Sequence, residues 1–273
     1  MEAIFLRKNK AIMIITSINN NKIKVLKSLF DKKMREELGL FLAEGQNTLK
    51  ELDSSYIKEV FVSESAYIKS REQIDIKIID NPNISLFIVS DVVFSKISDT
   101  ATPAGLITVC RIKETQNIGF GDIAVLDRIR DPGNLGTILR SAEAFGIKDL
   151  ILVDCVELYN PKVVRSSLGS ILGLNIIICS DSATALKLLD GIDLYSLSMS
   201  GKSIYEFAPR SRVAIVVGNE ASGVSEDFLK VSKGIISIPM LGQMESLNAA
   251  VSFSIAVSFL ENNKENNFFD LLK

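Results

Sequence analysis

The second half of the chain alternates runs that are apolar along their whole length with stretches of helical periodicity, a pattern that few folds can satisfy. The apolar runs lie at 123–126, 150–153, 175–179, 193–197, 213–217 and 235–238. A strand wetted on one side alternates apolar and polar residues, whereas a strand apolar at every position must be covered on both faces. Such strands with helices between them form a parallel sheet clad on both sides, an α/β architecture. A last helix reads from about residue 246 to 260, with Ser246 as its natural N-cap.

The first part reads as a smaller α/β unit. Ile23, Leu26, Phe30 and Met34 recur at spacings of three and four, so 21–38 reads as one amphipathic helix stopped by Gly39. Strands are expected at 39–43, 57–62, 74–79, 86–89 and 106–109, and helices at 46–52, 64–70 and 91–97. Residues 111–119 are polar and without period, which places a linker there. Two domains follow, 1–112 and 118–273. The tail from 261 is polar with Phe268, Phe269, Leu271 and Leu272 near its end, which could dock or fray.

Several chemistries are excluded by what the chain lacks. It has no histidine among its 273 residues, which removes the commonest general base, Ser-His and Cys-His pairs and most zinc sites. Its three cysteines, Cys110, Cys155 and Cys179, follow no metal or redox spacing and read as small buried residues. No metal is expected. No apolar stretch approaches the roughly 20 residues of a membrane span, and no secretory signal is visible, so a cytoplasmic protein without a membrane partner is expected.

The net charge of −2 hides an asymmetry. Residues 1–115 carry 17 basic and 15 acidic side chains, and the rest carry 14 and 18. Lys22, Lys24, Lys27, Lys32, Lys33 and Arg35 stand against a single acid, Asp31. They form either a solvated helix face or an edge that contacts phosphates.

Ligands of open parallel sheets collect beyond the carboxyl ends of the strands, and three such loops stand out. The first contains Pro132, Gly133, Asn134, Gly136 and Arg140; Asn134 can cap the helix that carries Arg140. The second runs Gly218, Asn219, Glu220, Ala221, Ser222, Gly223 directly after a buried strand. The third spans Ile238, Pro239, Met240 and Gly242 to Ser246, Leu247 and Asn248. Taken singly, each also reads as an ordinary turn or capped helix. A Rossmann dehydrogenase is disfavoured, because G-x-G-x-x-G is absent.

Together, the patterns N-x-G-x-x-x-R, G-N-E-x-x-G and I-P-M-x-G-x-x-x-S-L-N resemble the three signature motifs of the SpoU (TrmH-like) branch of the SPOUT RNA methyltransferases. The stretch 160–170 looks like the same family, and the first part is similar to its RNA substrate-binding domain at 17–24, 32–35, 41–45 and 102–106. The family-like text begins at Met13, so residues 1–12 read as an extension.

The resemblance implies S-adenosylmethionine-dependent 2′-O-methylation of a ribose in structured RNA, ribosomal rather than transfer RNA. It implies a C-terminal domain with a trefoil knot, a ribosomal-protein-like N-terminal domain and a homodimer. By positional match Leu197, Gly218, Ile238, Met240 and Leu247 would border the cofactor, and Gly218→Val would crowd it without harming the fold. Arg140, Asn134, Glu220, Ser246 and Asn248 would form the catalytic set, and the basic residues between Lys22 and Arg35 would contact RNA. Arg140 acts either as a neutral base or as a charged stabiliser of the developing alkoxide or a phosphate. A noncatalytic RNA-binding or ribosome-assembly factor on this fold is the alternative.

Overall fold

A computed structural model describes residues 14–271 except Ala101, Arg210 and Glu245, with the side chains of Ile79, Asn262 and 264–271 also left aside. The extension before Met13 and the docking of Phe268, Phe269, Leu271 and Leu272 therefore lie outside the described residues. The chain divides into two compact units. One holds Met1–Lys113 and Tyr159–Leu172, the other Glu114–Leu158 and Gly173–Lys273. The first unit thus includes a segment that a single boundary at the 111–119 linker would assign to the second.

In the first unit β1 (Ile14–Ile15), α1 (Asn21–Ser28), α2 (Lys32–Leu38), β2 (Leu40–Glu44), α3 (Gln46–Glu51), β3 (Ile57–Ser63), α4 (Glu64–Asp80), β4 (Ser85–Val89), α5 (Asp91–Phe94) and β5 (Leu106–Arg111) follow in order. The sheet runs β1-β4-β3-β5-β2, with β4 parallel to β1 and β3, and β5 antiparallel to β3 and β2. Ile23, Leu26 and Leu29 bury one face of the helical layer against Phe61, Val89, Phe94 and Ile107.

Two expectations fail here. The stretch 21–38 is two helices, because Asp31 turns extended and its carboxylate caps a new helix at Met34 N (3.3 Å), while Gly39 ends that helix in the left-handed region at φ +62°. The stretch 74–79 is helix rather than strand: α4 starts on the Ser63 cap and runs through it. The alternation Ile74, Asp75, Ile76, Lys77 imitates a strand, but the buried stripe is Tyr67, Ser70 and Ile74, at helical spacing. Lys77 Nζ then ties the last turns to Leu52 O (2.7 Å).

The second unit contains β6 (Ile123–Asp127), α6 (Pro132–Ala144) and β7 (Asp149–Val153). Next come α7 (Pro161–Ser167) and α8 (Ser170–Gly173), of which α7 and α8 as far as Leu172 belong to the first unit. Then follow β8 (Asn175–Cys179), α9 (Ser182–Leu188), β9 (Asp193–Ser203), β10 (Val213–Gly218), α10 (Glu226–Val231), β11 (Gly234–Ser237) and α11 (Ala249–Leu271). The order is β11-β9-β10-β6-β7-β8, with every pairing parallel. Each residue of β6, β7 and β10 is buried, as their apolar centres require, with Asp127 and Asp149 buried at the strand ends. Ile123, Val125, Ile151, Val216 and Phe228 fill one face; Ile215, Ile236, Ala256 and Leu260 help fill the other. From β6 the chain winds outward through β7 and β8, while β10 flanks β6 on its other side. That makes the β6–β10 boundary a topological switch point, where a ligand crevice opens at the strand ends. Gly218 and Asp127 sit opposite one another there.

Candidate active site

The site is assembled by loops that leave the carboxyl ends of β6, β10 and β11. After β6, Pro132 opens α6, and the cap is Asp131, whose carboxylate accepts from Asn134 N at 2.8 Å. Asn134 is therefore not the cap it was expected to be; its side chain is released to project from the first turn. Likewise α11 begins at Ala249 rather than near Ser246. Asn248 caps it, its Oδ1 accepting from Ala250 N (2.9 Å) and Val251 N (3.3 Å).

That cap dictates the polarity of a hydrogen-bond chain. With Oδ1 of Asn248 facing helix N–H groups, its Nδ2 donates to Asn134 Oδ1 at 2.8 Å. Asn134 Nδ2 in turn donates to Glu220 Oε1 at 2.6 Å. Three residues from three distant loops thus form one line ending on a carboxylate. Asn219 shapes the Glu220 turn: its Oδ1 accepts from Ala221 N (2.9 Å) and Ser222 N (3.0 Å), and its Nδ2 donates to Arg128 O (3.0 Å).

Beside this line lies a cavity of about 360 Å³ bordered by Leu197, Gly218, Glu220, Ile238, Met240, Ser246 and Leu247. The five residues matched to cofactor contacts all border it. Its size falls in the ~300–1,000 Å³ range of small-molecule pockets, and its mix of apolar walls and backbone groups suits a planar neutral base with a polar tail. Gly218 has a different reason to be small: a β-carbon there would overlap the Gly223 carbonyl carbon and Val224 N. The expectation that Gly218→Val spares the fold is thereby corrected, because the glycine is needed for the close return of the 219–224 loop.

Arg140 and Ser246 stand outside this line. Both are exposed, and neither side chain makes a hydrogen bond or ion pair among the described residues. Cys155 offers no nucleophile; burial pushes its thiol up to about 12, and it donates to Leu126 O at 3.2 Å. Among the described residues, no group of three or more His, Cys, Asp or Glu is placed to hold a metal ion.

In the first unit the basic cluster splits. Lys24, Lys27, Lys32 and Lys33 are exposed, Lys32 within reach of Glu36 (3.6 Å). Lys22 pairs with Glu59 (2.5 Å) beside the Phe87 ring. Arg35 is only 3% exposed, and its Nη1 donates to Leu29 O (2.8 Å) and Phe30 O (2.9 Å). It closes the break between α1 and α2, so its assignment as an RNA contact is corrected: a buried guanidinium cannot meet a phosphate. Sequence reading also passed over Asp127 and Arg128, a buried acid and its neighbour at the end of β6. Charges at the end of a wholly apolar strand were the available signal.

A parallel α/β domain with a pocket at its switch point and a convergent polar line beside it defines a ligand-binding enzyme domain. The comparisons name the kind. Residues 122–258 match the SpoU rRNA Methylase family, and 20–108 match the MRM3-like substrate binding domain. The 23S rRNA (guanosine(2553)-2′-O)-methyltransferase of Bacillus subtilis is 31% identical, over 90% of this chain and 98% of that protein. The AdoMet-bound rRNA methyltransferase from Sinorhizobium meliloti superposes with a TM-score of 0.78 at 25% identity, over 91% of this chain and 97% of that one. An RNA 2′-O ribose methyltransferase superposes at 0.79 with 29% identity, over 93% and 100%. The chain belongs to the SpoU rRNA Methylase family.

Proposed function

We propose that this chain methylates the 2′-hydroxyl of one ribose in ribosomal RNA, with S-adenosylmethionine as the methyl donor. The observation that carries the reading is the convergence of three loops, from Asn134, Glu220 and Asn248, into one hydrogen-bonded line beside an apolar cavity. The relatives' names supply the substrate class.

When bound, S-adenosylmethionine supplies a methyl group activated by its sulfonium. Leu197, Ile238, Met240 and Leu247 would give the cofactor apolar walls, and the loop at Gly218 would offer it backbone groups. Asn134, Glu220, Ser246 and Asn248 orient the ribose, and a positioned hydroxyl obtains much of its rate from proximity alone. As the 2′-oxygen takes the methyl group, its hydroxyl proton leaves to solvent water, and the guanidinium of Arg140, exposed on α6, stabilises the negative charge developing on that oxygen or grips the adjacent phosphate. Lys24, Lys27, Lys32 and Lys33 on the substrate-binding unit contact RNA phosphates.

The working form proposed is a cytoplasmic homodimer whose catalytic domain closes as a trefoil knot. Val251 and Ile255, 46% and 38% exposed, continue the stripe from Leu247 on the outer side of α11, while Phe253, Val257 and Leu260 bury the inner side. A helix apolar on both sides asks for a second cover. The return of the chain after β11 to lay α11 against α6 and β10 supports the knotted path.

The test is transfer of labelled methyl from S-adenosylmethionine to purified ribosomal RNA, followed by mapping of the product. One 2′-O-methylated nucleotide is expected; cofactor binding with no transfer to any ribosomal RNA, free or in subunits, would favour a noncatalytic binding factor.

A further inference from the structure

The loop Asn219–Ser225 forms one wall of the cavity, yet it is largely exposed and turns at Gly223 with φ +67°, so something must hold its shape. The ends of β6 and β10 supply the restraint. Asp127, 1% exposed, accepts from Ser225 N with Oδ2 at 2.6 Å. Arg128 folds back on it, donating from Nε to Oδ1 (3.1 Å) and from Nη2 to Oδ2 (3.3 Å). The same Nη2 reaches Gly223 O at 3.2 Å. In return Asn219 donates to the Arg128 carbonyl at 3.0 Å. The loop is thus gripped at its beginning, at Gly223 and at its end, by Asp127, the last residue of β6, and Arg128, the residue after it.

Arg128 adopts φ +57°, a left-handed conformation that side-chain-bearing residues reach only at a cost, and its N–H is fixed to Val153 O at 2.9 Å. A glycine would serve this backbone without strain. An arginine held there against its own preference indicates that the guanidinium is needed. It does not reach the cavity or the Asn134–Glu220 line, so its action on the site passes through the loop.

We propose that Asp127 and Arg128 form a latch that holds the loop Asn219–Ser225 in its cofactor-binding shape, with Arg128 as a positioning residue. The proposal rests on the reading of this cavity as the S-adenosylmethionine pocket.

Arg128→Gly separates the side chain from the backbone, since glycine accepts φ +57° freely. In the full-length protein its dissociation constant for S-adenosylmethionine, measured by calorimetry, should rise about tenfold, the scale of one charge-assisted hydrogen bond lost. Amide exchange should quicken at 219–225 and not elsewhere. The Michaelis constant for the cofactor should rise, and turnover at saturation should fall by less than the affinity does, because Glu220 lies on the same loop but is also held by Asn134. Arg128→Lys, without the planar fork, should recover only part of the affinity. Wild-type affinity and wild-type exchange at 219–225 in Arg128→Gly would overturn the latch. So would quickened exchange throughout the domain, which would make Arg128 a scaffold residue only; Arg128→Gln, keeping the native backbone strain, repeats the exchange test if the glycine variant fails to fold. If the wild-type protein bound no S-adenosylmethionine, the cavity reading would fail, while the exchange experiment would still decide whether the loop is latched.

Discussion

The two units use polar residues in opposite ways. In the second, conspicuous polar residues of the loops are spared structural duty or share it: Asp131 caps α6, which frees Asn134, and Asn248 caps α11 with one side of its amide while donating with the other. In the first, conspicuous cations are consumed by the fold, Arg35 by two backbone carbonyls and Lys22 by Glu59. A parallel sheet sends its loops to one edge whatever their sequence, so position alone marks them as functional. A basic run on short helices has no such marker; burial decides each residue separately.

The largest effect that would sharpen this contrast is at Arg140. Arg140→Ala should cut single-turnover methyl transfer by at least ~100-fold, as losing one transition-state donor does, with cofactor affinity nearly intact. Arg140→Lys then separates the two roles. If the side chain stabilises charge, the lysine variant should lose activity as pH rises through the amine's titration; a general base would gain it.

Arg35→Ala should destabilise the first unit by about 3 kcal/mol, because two buried carbonyls lose a charged donor. Denaturant unfolding checks it. Unchanged stability together with weakened RNA binding would restore Arg35 to the RNA surface and erase the contrast.

The converse experiment is the fourfold change of Lys24, Lys27, Lys32 and Lys33 to Glu. Stability should move little, RNA affinity should fall, and the slope of its logarithm against log salt should flatten by about 3. An unchanged slope would return these lysines to a solvated face.

A smaller effect is expected of Asn248→Asp. The carboxylate still caps α11, so the melting temperature should hold, but the donor to Asn134 is lost, and transfer should slow by about tenfold. Equal loss of stability and activity would make Asn248 a cap and nothing more.

How far the sequence was legible follows the same division. Strands β6, β7 and β10 could be read because burial on both faces keeps their centres apolar; the edge strand β8 could be read from the same apolar text although Ile178 is exposed. The stretch 74–79 could not, since the short alternation from Ile74 to Ile78 fits a strand and a helix edge alike until Ser63 is seen to cap the helix upstream. Ser246 and Asn134 were plausible caps by residue type, and so were Asn248 and Asp131; only the backbone decides between neighbours. The role of Arg128 was not legible, because nothing in its text announces a left-handed residue that is not glycine.

If the three loops form one ribose-methylating site acting on ribosomal RNA, the consequence is visible in a map of 2′-O-methyl groups across the ribosomal RNA of cells with the gene and of cells from which it has been removed. One nucleotide should lose its methyl group in the deletion. Purified wild-type protein with S-adenosylmethionine should restore it in vitro, and Arg140→Ala should not. An identical methylation map in both cell types, or full restoration by Arg140→Ala, would contradict it.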